Sequence, residues 1–501
     1  NENTVEKEVT TNPRTWNGKI DISWYTKDPN KTTFDISTPN ELAGLALLVD
    51  NEIAYYDDPH DANATSGTYS IAGSEFEGKT IVLNNDILIN ENVLNEDGTL
   101  NEANASSFVQ WEPIGEPVIA IKEGVSAEDA TGSDIIDLEE NAFKKFKGIF
   151  DGRNYDILGM YINKGVVWNQ ALFGTSFGTI QNINVIDSYV KAEGQCIAGI
   201  VGYIKYGNIY NCLNKANVVS GNYWMHCGGI AGMVVNTKIE ECVNYGEIYG
   251  RVASGIVGNS YNSYVMNCSN WGRIGKELAH DTCVAGITQL ASNSIIMNCN
   301  NCGELISSGA WGEANGISGT LKTGTKVINC FNVGNIYCLA SKGDVWGGIT
   351  YGGSVGDSSN ICVYNTYNLG DIFALGNGGG IIAYVYKGNI MTVENCFNTG
   401  IVSGTGGLGG VVGGGVGTNV TLTNVYNRDT SYFGNISPQP TGTYDTITGT
   451  GANASITVNG QTKTVIQALN EWVTANKATY PELKYWSWDN VNNRPMFVDS
   501  I

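Results

Sequence analysis

Residues 228–250 read GGIAGMVVNTKIEECVNYGEIYG, and residues 254–274 read SGIVGNSYNSYVMNCSNWGRI. The two stretches share a Gly-Ile step, a cysteine thirteen residues later, and then Asn-x-Gly-x-Ile. The Gly-aliphatic step recurs at Gly199, Gly229, Gly255, Gly286, Gly316, Gly348, Gly380 and Gly410, at spacings of 30, 26, 31, 30, 32, 32 and 30. A second column holds Cys212, Cys242, Cys268, Cys299, Cys330, Thr366, Cys396 and Val425. Two residues on, a third holds Asn214, Asn244, Asn270, Asn301, Asn332, Asn368, Asn398 and Asn427. From Asn244 to Asn398 every one has glycine at +2 and Ile, Leu or Val at +4. Ala171-Leu172-Phe173-Gly174 with Ile183 is a weaker earlier copy, which makes about nine.

A unit of about 30 residues with aliphatic runs of four to six residues is too interrupted for helices. Its Asn and Gly punctuation supplies sharp bends, because both residues tolerate positive φ. Short strands of this kind bury their apolar face only by stacking on the next unit. The chain is therefore expected to be all-β, a right-handed parallel β-helix (solenoid) of about nine or more coils. The Ile/Val column fills the interior. The cysteine ladder (Cys212, Cys242, Cys268, Cys299, Cys330, Cys396) lies there as small hydrophobes. The asparagine ladder (Asn244, Asn270, Asn301, Asn332, Asn368, Asn398) satisfies backbone groups at a bend.

Composition agrees. Glycine is 64 of 501 residues and proline only 10, with 42% hydrophobic and 15% charged residues, which excludes collagen and disorder. The net charge of −21 is concentrated outside residues 171–430, which hold 14 acidic and 12 basic residues. An acidic chain without a basic stripe fits neither nucleic acid nor anionic lipid. No run of 18 apolar residues is present for membrane insertion. The first residues, Asn1-Glu2-Asn3, are compatible with a removed signal peptide or an artificial boundary.

Three divisions are expected: residues 1–145 as an N-terminal capping region with irregular first coils, 146–430 as the repeat solenoid, and 431–501 as a C-terminal cap. Thr38-Pro39-Asn40-Glu41 predicts a helix start, with a helix over 39–50 covering the first coil. Val465 to Ala475 predicts an amphipathic helix, and Tyr485-Trp486-Ser487-Trp488-Asp489 is expected over the last coil.

The Gly-Gly-Ile-Ala-Gly and Asn-Cys-x-Asn-x-Gly-x-Ile pattern resembles the GLUG-repeat family of bacterial surface proteins. The flanks fit too: Trp16-Asn17-Gly18, Trp24-Tyr25, Leu42-Ala43-Gly44-Leu45-Ala46, Phe150-Asp151-Gly152, Trp486-Ser487-Trp488-Asp489 and Arg494-Pro495-Met496-Phe497. The resemblance covers most of the chain. It implies a secreted or wall-attached protein of a Gram-positive-like gut or anaerobic bacterium, hence an extracellular location, and it implies no activity. Some members, such as immunoglobulin A proteases, carry these repeats ahead of a zinc peptidase domain. The only histidines here are His60, His226 and His280, without a His-Glu-x-x-His, so these residues hold no such domain.

Site chemistry is sparse. Parallel vectors along the cysteine column fit a disulfide poorly, and buried free thiols are expected there and at Cys196, Cys227 and Cys283. His226-Cys227 and His280-x-x-Cys283 bring nitrogen and sulfur close, but no four-ligand zinc spacing follows. No cofactor is indicated, although a structural Ca²⁺ would be compatible. The coil carboxylates do not recur on successive coils: Glu247, Glu304 and Asp371 share one position, but Arg273 and Asn335 intervene. No catalytic residue is assigned. The loops entering each Gly-Ile step are the more promising feature, because loops commonly carry function. They hold Tyr223, Trp224, Trp311 and Trp346, which either project to stack on a glycan or host protein or fold back over the rod. The leading function is a non-catalytic extracellular surface or adhesin-like module binding glycan or surface protein. The alternatives are a polysaccharide lyase or hydrolase, a carbohydrate-binding accessory, and a passive stalk.

Overall fold

The computed structural model describes residues 15–56, 69–115, 144–221, 226–277, 282–309, 312–338, 345–353, 360–416, 419–458 and 460–501. The chain forms a parallel β-solenoid. One coil runs His226–Gly228, Ala231–Val235, Lys238–Glu240, Val243–Asn244 and Ile248–Tyr249, and the next repeats the same strands from Val252–Ser254 onward. Each strand pairs in parallel with its equivalent one coil away, so Ile209, Ile239, Val265, Ile296, Val327, Val363 and Val393 stand in register. The strands that begin each repeat form an eight-stranded sheet, which gives about eight regular coils. A ten-stranded sheet adds Phe173–Ser176 before them and Phe433–Ser437 after.

The same stack continues upstream through Ile180, Phe150 and Ile81 to Phe34. The strands Thr33–Ile36 and Thr80–Leu83 thus belong to the long sheet although they precede residue 146. Helix Pro39–Asp50 forms where expected. Thr38 Oγ1 accepts from the Glu41 N–H at 3.3 Å, and Glu41 Oε2 accepts from the Thr38 N–H at 3.0 Å, a reciprocal cap. Leu42, Leu45, Leu48 and Val49 of this helix join Phe34, Phe76 and Phe146 in the apolar interior.

Two columns read from the sequence explain each other. Each ladder asparagine is fully buried and donates twice. Asn332 Nδ2, for example, donates to Asn368 Oδ1 at 2.8 Å and to Gly334 O at 2.8 Å, and Asn332 Oδ1 accepts from Asn301 at 2.8 Å. The chain of amides runs unbroken from Asn214 to Asn427. The glycine of the Gly-Ile step faces it. A Cβ on Gly316 would lie 2.0 Å from Gly348 O and 2.6 Å from Asn332 Cβ, so only glycine lets the ladder close. The six ladder cysteines are buried and free. Burial raises Cys396 to about 12 and Cys242, Cys268 and Cys299 well above the usual thiol value, so they stay neutral and inert.

The C-terminal segment holds helix Val465–Asn476, capped by Thr464, and the hairpin Tyr485–Asp489/Arg494–Val498. Its placement differs from a lid across the final coil. Leu469, Val473, Leu483 and Trp486 pack against Ile328, Tyr364, Tyr367, Phe397 and Tyr426, residues on the outer face of the long sheet. The reason is an aromatic column. Phe331, Tyr367 and Phe397 stack at 4.9 and 5.2 Å, and so large an apolar strip needs a cover. Trp486 supplies it, with ring centroids 5.6 Å from both Tyr367 and Phe397.

Candidate functional site: the uncovered outer face

The same outer face continues upstream without the C-terminal cover. Tyr245 and Trp271 lie there on adjacent coils, each at the position after a ladder asparagine. The inner ladder fixes the backbone beneath them, because Val243↔Ser269 and Asn244↔Asn270 pair in register. The two rings stack at 6.5 Å with an interplanar angle of 18° and are 48% and 50% exposed. Lys215, at the same position one coil earlier, places its Nζ 5.5 Å from the Tyr245 ring centroid, a cation–π contact. Tyr210 and Tyr264 are exposed on the neighbouring strand.

Charged groups border this strip in pairs. Arg273 Nη2 lies 2.8 Å from Glu247 Oε1, so the row that carries Glu247 is neutralised where it passes the aromatics. In that same row Asp371 Oδ1 accepts from the Ile401 N–H at 2.8 Å, and Asn335 Oδ1 accepts from the Asp371 N–H at 3.0 Å. Lys276 Nζ sits 3.6 Å from the Tyr249 centroid, and its burial there lowers its pKa. Glu241 accepts from the Tyr210 hydroxyl and holds that phenol's pKa up. The arrangement offers flat apolar rings with a cation at one end. Among the described residues no group of three metal-capable side chains gathers. His226 is half-buried, and desolvation lowers its pKa to about 4, leaving it neutral.

Of the loop aromatics, Trp346 lies among the described residues. Tyr223, Trp224, Trp311 and His280 lie outside the described residues. Trp346 does not project and is no ligand platform. It is fully buried in strand Val345–Gly347 and its Nε1 donates to Ser307 Oγ at 3.1 Å. Its neighbours in register are Ala314, with only a methyl group, and Gly378, with no side chain, and the indole lies among the core residues of the rod. Tyr245 and Trp271 stand outside the loops, and their sequence signal is an aromatic after the ladder asparagine in two consecutive coils.

A second asparagine column is also present in the sequence. Asn211, Asn267, Asn298, Asn329, Asn365, Asn395 and Asn424 each precede the cysteine column by one residue and hold φ between 48° and 57°. Asparagine tolerates this left-handed corner, so its recurrence there is a conformational requirement. Their amides form an outer ladder, with Asn298 donating to Asn267 at 3.0 Å, Asn329 to Asn298 at 2.9 Å and Asn365 to Asn329 at 2.7 Å. A separate cleft of about 480 Å³ lies where the C-terminal segment meets the rod, between Phe397, Arg428, Ile447 and Trp488.

No protein-family model matches the chain, and no curated protein does. A solved structure from Bacteroides ovatus, described as a "putative immunoglobulin A1 protease", is similar over 94% of this chain and 93% of its own, at 12% identity and a TM-score of 0.34.

Proposed function

We propose that the chain is a non-catalytic, extracellular, adhesin-like binding module of the GLUG-repeat kind, which engages a host or microbial surface glycan or protein through the uncovered outer face. The observation that carries this reading is the stacked, half-exposed Tyr245–Trp271 pair with Lys215 at its end. Exposed aromatics gathered in one patch mark interaction sites, whereas singly scattered ones do not. Here the rings stack in successive bends directly after paired strands, which limits the conformational entropy lost on association. The carboxylate beside them, Glu247, is ion-paired with Arg273, which supports recognition over acid–base chemistry.

The test uses the full chain on arrays of glycans, mucins and extracellular proteins. Binding by the wild type that falls at least tenfold in a folded Tyr245→Ala/Trp271→Ala variant supports the reading. Undiminished binding by that variant, or no binding by the wild type, overturns it and leaves a stalk.

A further inference from the structure

We infer that the outer amide ladder at Asn267 and Asn298 is a docking strip for an extended polypeptide segment, a partner class that rests on the binding-module reading above and narrows it. The molecule itself displays the mode of recognition. Downstream on the same ladder, the C-terminal segment is held by three backbone contacts and one indole N–H. Asn329 Nδ2 donates to Glu482 O at 2.8 Å, and Asn329 Oδ1 accepts from the Lys484 N–H at 3.2 Å. One coil on, Asn365 Nδ2 donates to Lys484 O at 2.9 Å, and Asn365 Oδ1 accepts from Trp486 Nε1 at 2.6 Å. The backbone contacts fall on residues 482 and 484, two apart as along an extended chain, and the strand Tyr485–Asp489 begins just after them; Trp486 adds its indole N–H while Asn470 holds its backbone.

The physical reason is the inventory of a primary amide. It carries two N–H donors and a carbonyl with two lone pairs. Along the ladder each amide spends one donor and one lone pair on its neighbours. At Asn329 and Asn365 the remaining donor and lone pair meet the C-terminal segment, so these rungs present N–H and C=O groups much as the edge of a β-strand does. A chain crossing the coils satisfies them with its own backbone, the hydrogen-bond currency of strand addition.

The next rungs upstream have this chemistry and no occupant among the described residues. Asn298 donates to Asn267 Oδ1 at 3.0 Å. Asn267 donates to Glu240 Oε1 at 3.2 Å, where Glu241 interrupts the asparagine column. Asn267 is exposed and Asn298 half-buried. Arg494 Nη1 of the C-terminal segment reaches Cys302 Sγ at 4.0 Å on the Asn298 coil, and next to that contact the side-chain slots hold small polar residues. At the register positions that downstream carry Phe331, Tyr367 and Phe397, these coils carry Ser269 and Asn300. Trp271 borders the trough on one side, with Tyr264 and Met266 on the other. The fitting occupant is an extended segment with a large apolar or aromatic side chain at alternate residues. The strip continues directly into the interface that already holds such a segment, which favours a polypeptide over a glycan.

The test selects dodecapeptides from a phage-displayed random library on the immobilised full chain and measures the recovered synthetic peptides by fluorescence anisotropy. Two variants are compared with the wild type. Asn267→Gly/Asn298→Gly removes both amides while keeping their positive φ of 54° and 55° accessible. Ser269→Trp fills the trough and leaves the ladder intact. Saturable peptide binding that weakens at least tenfold in both folded variants is the expected result. Recovery of no peptide, or equal affinity for wild type and both variants, overturns the strip. Glycan binding that is lost in Tyr245→Ala/Trp271→Ala alongside either negative result leaves the binding-module reading standing, whereas loss of every ligand brings down both.

Discussion

One face of the long sheet behaves in two ways along its length. Over the coils that contain Phe331, Tyr367, Phe397 and Tyr426 it is covered, and its outer asparagines Asn329, Asn365 and Asn395 give their spare donors to Glu482, Lys484 and Leu469 of the C-terminal segment. Over the coils that contain Tyr210, Tyr245, Tyr264 and Trp271 it meets solvent. The backbone beneath is the same in both halves: the inner amide ladder and the interior aliphatic stack pass through without a break. What the face does is therefore decided by outward-pointing residues. A continuous aromatic column recruits the chain's own tail, and an isolated pair of rings beside small polar residues leaves an open trough.

The contrast can be broken most severely at Trp486, which is 1% exposed between Tyr367, Phe397 and Phe497. Trp486→Ala is expected to cost about 4 kcal/mol at this docking. Limited proteolysis should then cut within residues 447–498 while the coils upstream stay resistant; a cleavage pattern unchanged from wild type would refute the latch. Next come the buried amides. Asn332→Ala in the covered half and Asn244→Ala in the uncovered half should each cost about 3 kcal/mol, because each strands buried donors and acceptors. Equal losses in chemical denaturation are expected, and a cost confined to one half would show that the tail, not the ladder, carries stability there.

The outer ladder should separate the halves. Asn365→Gly gives up its bonds to Lys484 and Trp486 and should destabilise by about 2 kcal/mol. Asn267→Gly, at an exposed rung, should stay within about 0.5 kcal/mol. Comparable melting shifts for the two would erase the distinction. Smallest of all is Trp271→Ala. Its half-exposed ring should leave stability within about 0.5 kcal/mol while ligand capture falls, and a large drop in melting temperature would mark Trp271 as structural.

The parts of this architecture that sequence alone reveals are those that repeat. The Gly-Ile, cysteine and Asn-x-Gly columns recur at near-constant spacing, and in a solenoid recurrence in sequence becomes stacking in space. Helix Pro39–Asp50 is equally legible, because Thr38, Pro39 and Glu41 signal its start locally. The position of the tail is not, since Asn329 and Glu482 meet across 153 residues without any shared motif. Trp346 shows the opposite failure. It stands beside a loop by sequence, yet it lies indoors among the core residues, between Ala314 and Gly378 of the adjoining coils. Reading residues against their equivalents one repeat away, instead of against their chain neighbours, would have placed both Trp346 and the outer asparagines.

The latch also has a consequence in time. Glu482 trails Asn329 by 153 residues, so at roughly 5–20 residues per second the ribosome needs on the order of 10–30 s to deliver the cover after the first rung exists. As that interval passes, a growing rod accumulates Phe331, Tyr367 and then Phe397 as a bare stripe. Whatever escorts the growing chain has to shield this stripe until its own tail arrives.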